Sequence, residues 1–193
     1  MVNFSLRAFV ALFVFLTVSS VSAQTKVVVI PLFGDDAPAP IEYAIGDTGP
    51  AGGKVFYITH GGLHGLEAAL VDQAAAPWNC AGTDVVGVDN IVTVAAPDVR
   101  SGAANTALIA AACGGAAAVA ADYVWPNGQT DGFSPNKEEL NLLYAQRNVV
   151  GGFTRDEYWS SSEVASDFAW GQYFNDGSQN EYVKSDVRGV RAF

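Results

Sequence analysis

Basic side chains are scarce in this chain of 193 residues. Ten Lys and Arg stand against 20 Asp and Glu, a net charge of -10. A surface of that sign repels nucleic acid and anionic membranes, whose recognition depends on neutralising negative charge. Histidine is scarcer still, with only His60 and His64, four positions apart. On a helix that spacing could offer two imidazoles to a metal, but the intervening Gly61 and Gly62 make a loop instead. Phosphate-binding GxGxxG, the GxSxG nucleophile elbow and EF-hand spacing are all missing. No mononucleotide, elbow-type hydrolase or EF-hand chemistry is therefore supported. After Ala23, no apolar run is long enough to span a bilayer.

Residues 1–23 look like an export leader. Arg7 supplies a positive start, Ala8–Val18 an apolar stretch, and Val21-Ser22-Ala23 a small-x-small cleavage site before Gln24. An uncleaved anchor is the alternative, although the apolar stretch is short for one. No Cys lies near the cleavage site for lipid attachment. Loss of Arg7 leaves nine basic against 20 acidic residues and a net charge of -11. A secreted, periplasmic or cell-surface location follows from this reading. In such a compartment the two cysteines, Cys80 and Cys113, are expected to pair and close a long loop. Two free buried thiols are the alternative.

Residues 24–40 form an N-terminal appendage. Val27–Leu32 is strand-like up to Pro31, and Gly34–Pro40 is a Gly/Pro linker. An exposed apolar strand invites association, so assembly of a cell-envelope structure or a homo-oligomer through it is a second functional reading. Residues 41–193 then form the main domain. Strands are expected at Lys54–Ile58 and Leu66–Val71, and short helices at Ala103–Ala112 and Ala116–Tyr123. The clearest helix spans Lys137–Arg147, with Asn136 and Glu139 as a capping box and Leu140, Leu143 and Tyr144 as its buried stripe. Phe168, Trp170 and Gln172 alternate with small residues, the period of a strand with one buried face, and Asn175-Asp176-Gly177 supplies a turn. Helices in the middle and hairpins at the end define an α+β fold.

The terminal region is rich in Ser, Asn, Asp and Gln and poor in groups suited to acid/base or nucleophilic chemistry, which favours binding over catalysis. The expected ligand contacts are Trp159, Ser161, Glu163, Asp167, Asn175, Asp176 and Asn180, with an indole face stacking on a sugar and amides and carboxylates bonding its hydroxyls. Trp159 suits either a core or a ligand-facing role, and Trp170 fits the core better. The loop acids with Asn175 and Asn180 could ligate Ca²⁺ through oxygen, and no other cofactor is expected. Paired-carboxylate hydrolysis would need two of Glu163, Asp167, Asp176, Glu181 and Asp186 to face each other; solvated loop acids are the simpler reading.

Several segments resemble the family named for the C-terminal domain of the Legionella collagen-like adhesin. They are Ile45–Tyr57, Gly62–Ala69, Pro135–Tyr144, Tyr158–Glu163 and the ending Val190-Arg191-Ala192-Phe193. The resemblance implies a C-type-lectin-like domain with small antiparallel sheets and two to three short helices, on a bacterial secreted or surface protein that acts in adhesion without catalysis. It also implies partners that are extracellular glycans or protein surfaces, and by analogy a trimer. The namesake's sulfated glycosaminoglycan ligand does not carry over, because a net charge of -11 opposes it. Asp131-Gly132-Phe133 departs from the family, whose members carry Trp and Leu around the Phe, and looser packing is expected there. Related sulfatase-activating oxidases use cysteine chemistry, but Cys80 and Cys113 lie outside the terminal motif region.

Overall fold

Strand β1 (Lys54–Thr59) runs through a 3-10 turn at His60–Gly62 into β2 (His64–Ala68), forming an antiparallel two-stranded sheet. A register shift between Val55 and Tyr57 bulges the hairpin at Phe56. Phe56 is buried and packs edge-to-face on Phe193, ring centroids 4.8 Å apart. The remaining elements are β3 (Gln73–Pro77), α1 (Ser101–Ala112), α2 (Gly115–Ala121), α3 (Lys137–Ala145), α4 (Arg147–Val150), β4 (Glu157–Ala165), β5 (Phe168–Tyr173), β6 (Gln179–Val183) and β7 (Val187–Val190). This computed structural model describes residues 40–90 and 101–193. The leader, the Val27–Leu32 strand and most of the linker lie outside the described residues; Ala39–Phe193 is one compact unit.

The larger sheet has the order β3-β7-β4-β5-β6. It is mixed, not purely antiparallel as expected, because β7 pairs parallel with β4 at Tyr158 and Gly189 while pairing antiparallel with β3. Central strand β4 feeds two hydrophobic clusters, since successive side chains of a strand point to opposite faces. Trp159 joins Trp78, Ile109 and the alanines of α2; Tyr158 joins Phe56, Leu140, Leu143, Phe174 and Phe193. Strand β5 is therefore covered on both sides. Ala169 and Gly171 are buried as well as Trp170 and Gln172, and the expected single buried face is corrected accordingly. The alternation in β5 separates large from small residues instead of buried from exposed ones.

Helix α3 begins as its sequence requires. Asn136 Oδ1 accepts from the Glu139 amide at 2.8 Å, and Glu139 Oε2 accepts from the Asn136 amide at 2.8 Å. Helix α1 buries Gly102, Asn105, Thr106 and Ile109, one stripe at helical spacing but partly polar. Asn105 donates to Asp89 Oδ2 at 3.1 Å, and Thr106 Oγ1 donates to Ser134 O at 3.1 Å. A side chain at 102 would collide with the Glu139 carboxylate, so only glycine lets α1 approach the start of α3 so closely. Cys80 and Cys113 are disulfide-bonded, Cα atoms 5.5 Å apart, tying the loop after β3 to the end of α1.

Two buried ionic groups fix the sheet to its loops. Arg191 is paired with Asp72 at 2.6 Å and also donates to Ala69 O at 2.6 Å and Gly152 O at 2.7 Å. Asp72 in turn accepts from the Tyr158 hydroxyl at 2.8 Å, and burial pushes that phenol well above its ordinary pKa. Lys184 pairs with Glu163, donates to Thr83 O at 2.9 Å and lies 4.6 Å from the Trp78 ring. Lys137 sits 3.3 Å over the Trp170 ring, and burial lowers its pKa against the opposing pull of Glu138 and Glu181.

A candidate binding cleft

The expected terminal contacts do not come together. Trp159, Ser161 and Glu163 are each 1% exposed, and their polar atoms are used internally. Trp159 Nε1 donates to Ala76 O at 3.0 Å. The Ser161 amide donates to Pro135 O at 2.7 Å, and the Glu163 carboxylate accepts from Lys184 and from the Val85 amide at 3.1 Å. Their assignment as ligand contacts is corrected by burial inside the sheet: a side chain closed over by β3, β7 and the Cys80–Asn90 loop has no face to offer a sugar. Ser160-Ser161-Ser162 lies within β4. Ser160 Oγ donates to Trp170 O at 2.9 Å and Ser162 Oγ accepts from the Lys137 amide at 3.0 Å, which lets hydroxyls replace apolar bulk there.

The other four are exposed but divided. Asn175 donates to Asp156 Oδ1 at 3.1 Å, Asp176 accepts from the Ser178 amide at 2.9 Å, and Asn180 reaches Ser178 Oγ at 3.3 Å. These cluster at the β5–β6 turn, where the Ser178 bonds hold the Asp176 carboxyl below its usual pKa. Asp167 sits at the opposite end of β5, in the β4–β5 turn, so a strand of six residues, roughly 20 Å, separates it from Asp176. Among the described residues no three His, Cys, Asp or Glu gather as metal ligands. The rings of His60 and His64 meet edge-to-face, 5.4 Å between centroids.

A different place is open. The outer side of the β1–β2 hairpin, the Gly46–Gly53 loop, the turn after α2 and the Phe133/Phe193 pair enclose a cleft of about 280 Å³. Its lining is mainly apolar and includes Tyr43, Ile58, Leu66, Trp125, Phe133 and Phe193. Glu67, Asp131 and His64 are among its polar members, and no described Lys or Arg borders it.

Each wall is held from behind. Glu67 accepts from the Ala51 amide at 2.9 Å and the Gly53 amide at 2.8 Å, pinning the glycine loop against β2. Asn127 donates from its backbone to Ala51 O at 3.3 Å and from its side chain to Pro50 O at 3.0 Å, joining the Trp125–Gln129 turn to the same loop. A Cβ at Gly53 would stand 2.7 Å from Trp125 Cζ3, so the far edge of the indole occupies the space that Gly53 leaves. Phe133 and Phe193 exchange two backbone hydrogen bonds, at 3.1 and 3.0 Å, and close the inner end.

Trp125 carries the informative defect. It is 3% exposed, yet its Nε1 makes no hydrogen bond among the described residues. The indole N–H is a donor only, and leaving it buried and unpaired costs about 1–3 kcal/mol. Gln172 Oε1 and Arg188 Nε are also unpaired, but their side chains bond elsewhere, to Asn141 and to Glu157 and Asp186. Trp125 has no second polar atom to compensate.

Neither Trp125 nor Tyr43 stood out in the sequence. The local signal was a Trp directly before the Pro126-Asn127-Gly128 turn, a large aromatic where turns ordinarily carry small polar residues. No protein-family model matches the chain, and no curated protein matches it.

Proposed function

We propose that this chain is an exported, non-enzymatic recognition domain, C-type-lectin-like and akin to the adhesin family it resembles, that binds carbohydrate in the cleft beside Trp125. The observation that carries the proposal is the apolar cleft of about 280 Å³, lined by the aromatic residues Tyr43, Trp125, Phe133 and Phe193. Small-ligand sites are concave and apolar with a few placed polar groups. The volume suits one sugar ring, whose C–H face packs on aromatic surface. Recognition moves from the terminal hairpins to the hairpin at the front of the domain.

Two further points support binding over catalysis. Glu163, Lys184, Arg191 and Asp72 are spent on internal bonds. Glu67, the half-buried acid of the cleft, already accepts two backbone amides. Export is supported by the leader-like segment 1–23 and by the Cys80–Cys113 disulfide, a bond that persists in oxidising compartments.

A glycan array probed with the purified protein, with and without Ca²⁺, tests the proposal against the variant Leu63→Arg, which places a long cation at the cleft rim. Signal on a defined glycan set that Leu63→Arg abolishes supports it. Signal untouched by that variant, or no signal on any glycan, overturns it.

A further inference from the structure

Carbohydrate is a broad class, and the charges around the cleft narrow it. Resting on the carbohydrate reading above, we infer that the preferred ligand is a cationic amino sugar, a pyranose whose amine is free and protonated.

The electrostatics are one-sided. Among the described residues, the only formally charged side chains on the lining are the carboxylates of Glu67 and Asp131. Asp131 is exposed and makes no hydrogen bond to another described group, so its carboxylate is at hand for a ligand. The Glu67 oxygens are anchored by the Ala51 and Gly53 amides. Tyr43, Trp125, Phe133 and Phe193 place four aromatic rings on the same lining. Aromatic walls with carboxylates beside them are the surroundings that favour an ammonium group, through ring quadrupoles and direct charge attraction. A neutral sugar gains nothing from the two carboxylates beyond hydrogen bonding, and an anionic one is repelled.

The two features divide the ligand. An apolar ring face matches the aromatic floor, and an ammonium matches Asp131 and Glu67. An amino sugar carries both within one ring, whereas glucose lacks the cation. The overall charge of -10 adds long-range attraction for the same sign of ligand.

Titration calorimetry at mildly acidic pH and low salt, where the sugar amine is protonated and the carboxylates are ionised, decides the matter, with glucosamine, glucose and N-acetylglucosamine as probes. Glucosamine and glucose differ at one position, so size is nearly constant between them. Glucosamine is expected to bind about tenfold more tightly than glucose, the effect of a partly desolvated cation among aromatic rings. Asp131→Asn, a surface change with no internal bond to lose, should reduce that preference. Leu63→Arg should weaken both sugars, because it places a long cation at the cleft rim. Equal affinity for glucose and glucosamine, with both weakened by Leu63→Arg, overturns the amino-sugar assignment and leaves the carbohydrate cleft standing. Binding of any of these sugars that neither variant alters overturns the cleft itself.

Discussion

Polar groups behave oppositely in two parts of this molecule. In the five-stranded sheet they are buried and bonded: Trp78 Nε1 donates to Ser160 O at 2.8 Å, Trp159 Nε1 to Ala76 O at 3.0 Å, and Glu163 and Lys184 satisfy each other. Beside the cleft of β1 and β2, Trp125 buries an indole N–H with no acceptor among the described residues. Two indoles have partners and hold a core together; the third has none. A polar, aromatic-rich stretch of sequence therefore says less about binding than the bonding state of its atoms does.

The comparison is broken most severely on the sheet side. Lys184→Met leaves Glu163 charged and buried without its cation, and is expected to cost about 3–5 kcal/mol, read from urea unfolding. Next in size is the disulfide. Reducing Cys80–Cys113, two residues 33 apart in the chain, is expected to remove about 3–4 kcal/mol by releasing the unfolded chain, seen as a lower denaturant midpoint in reductant. Asn136→Ala removes the cap of α3 and should cost about 1–2 kcal/mol in the same assay, being fully buried.

Alkaline pH tests the Tyr158–Asp72–Arg191 group more gently. The Tyr158 phenol is raised by burial, so the folded state keeps a proton that the unfolded state loses near pH 10. The native state then binds more protons, and stability falls as pH rises above about 10. Lys137 acts the other way below that point, since its lowered pKa makes the unfolded state the better proton binder and stability there rises with pH. Thermal unfolding followed across this range should show the decline, and Tyr158→Phe should flatten it. On the cleft side, Leu63→Arg alters an exposed residue and is expected to shift stability by under about 0.5 kcal/mol while abolishing ligand binding.

The parts of the fold that rest on local chemistry were legible in the sequence. The Asn136/Glu139 capping box, the Leu140/Leu143 stripe and the alanine helices α1 and α2 stand within a few residues of their expected ends. Strand β3 was not legible, because Gln73-Ala74-Ala75-Ala76-Pro77 has weak β propensity and is ordered by its edge position beside β7. The Ser run of β4 was not legible as strand because its hydroxyls find partners only from β5 and α3. Trp159, Ser161 and Glu163 looked like binding residues for the same reason: whether a polar group is satisfied depends on residues such as Val85 and Lys184, distant in the chain. The cleft was hidden because Tyr43, Glu67, Trp125 and Phe193 meet only after folding.

Hydrogen–deuterium exchange of the tryptophan indole N–H groups, followed by NMR on the ligand-free protein, tests the central distinction most directly. Trp125 is expected to exchange much faster than Trp78 and Trp159, whose protons are held by backbone carbonyls. Protection of Trp125 equal to that of Trp78 and Trp159 would mean that its donor is already satisfied, and the contrast between the two regions would fail.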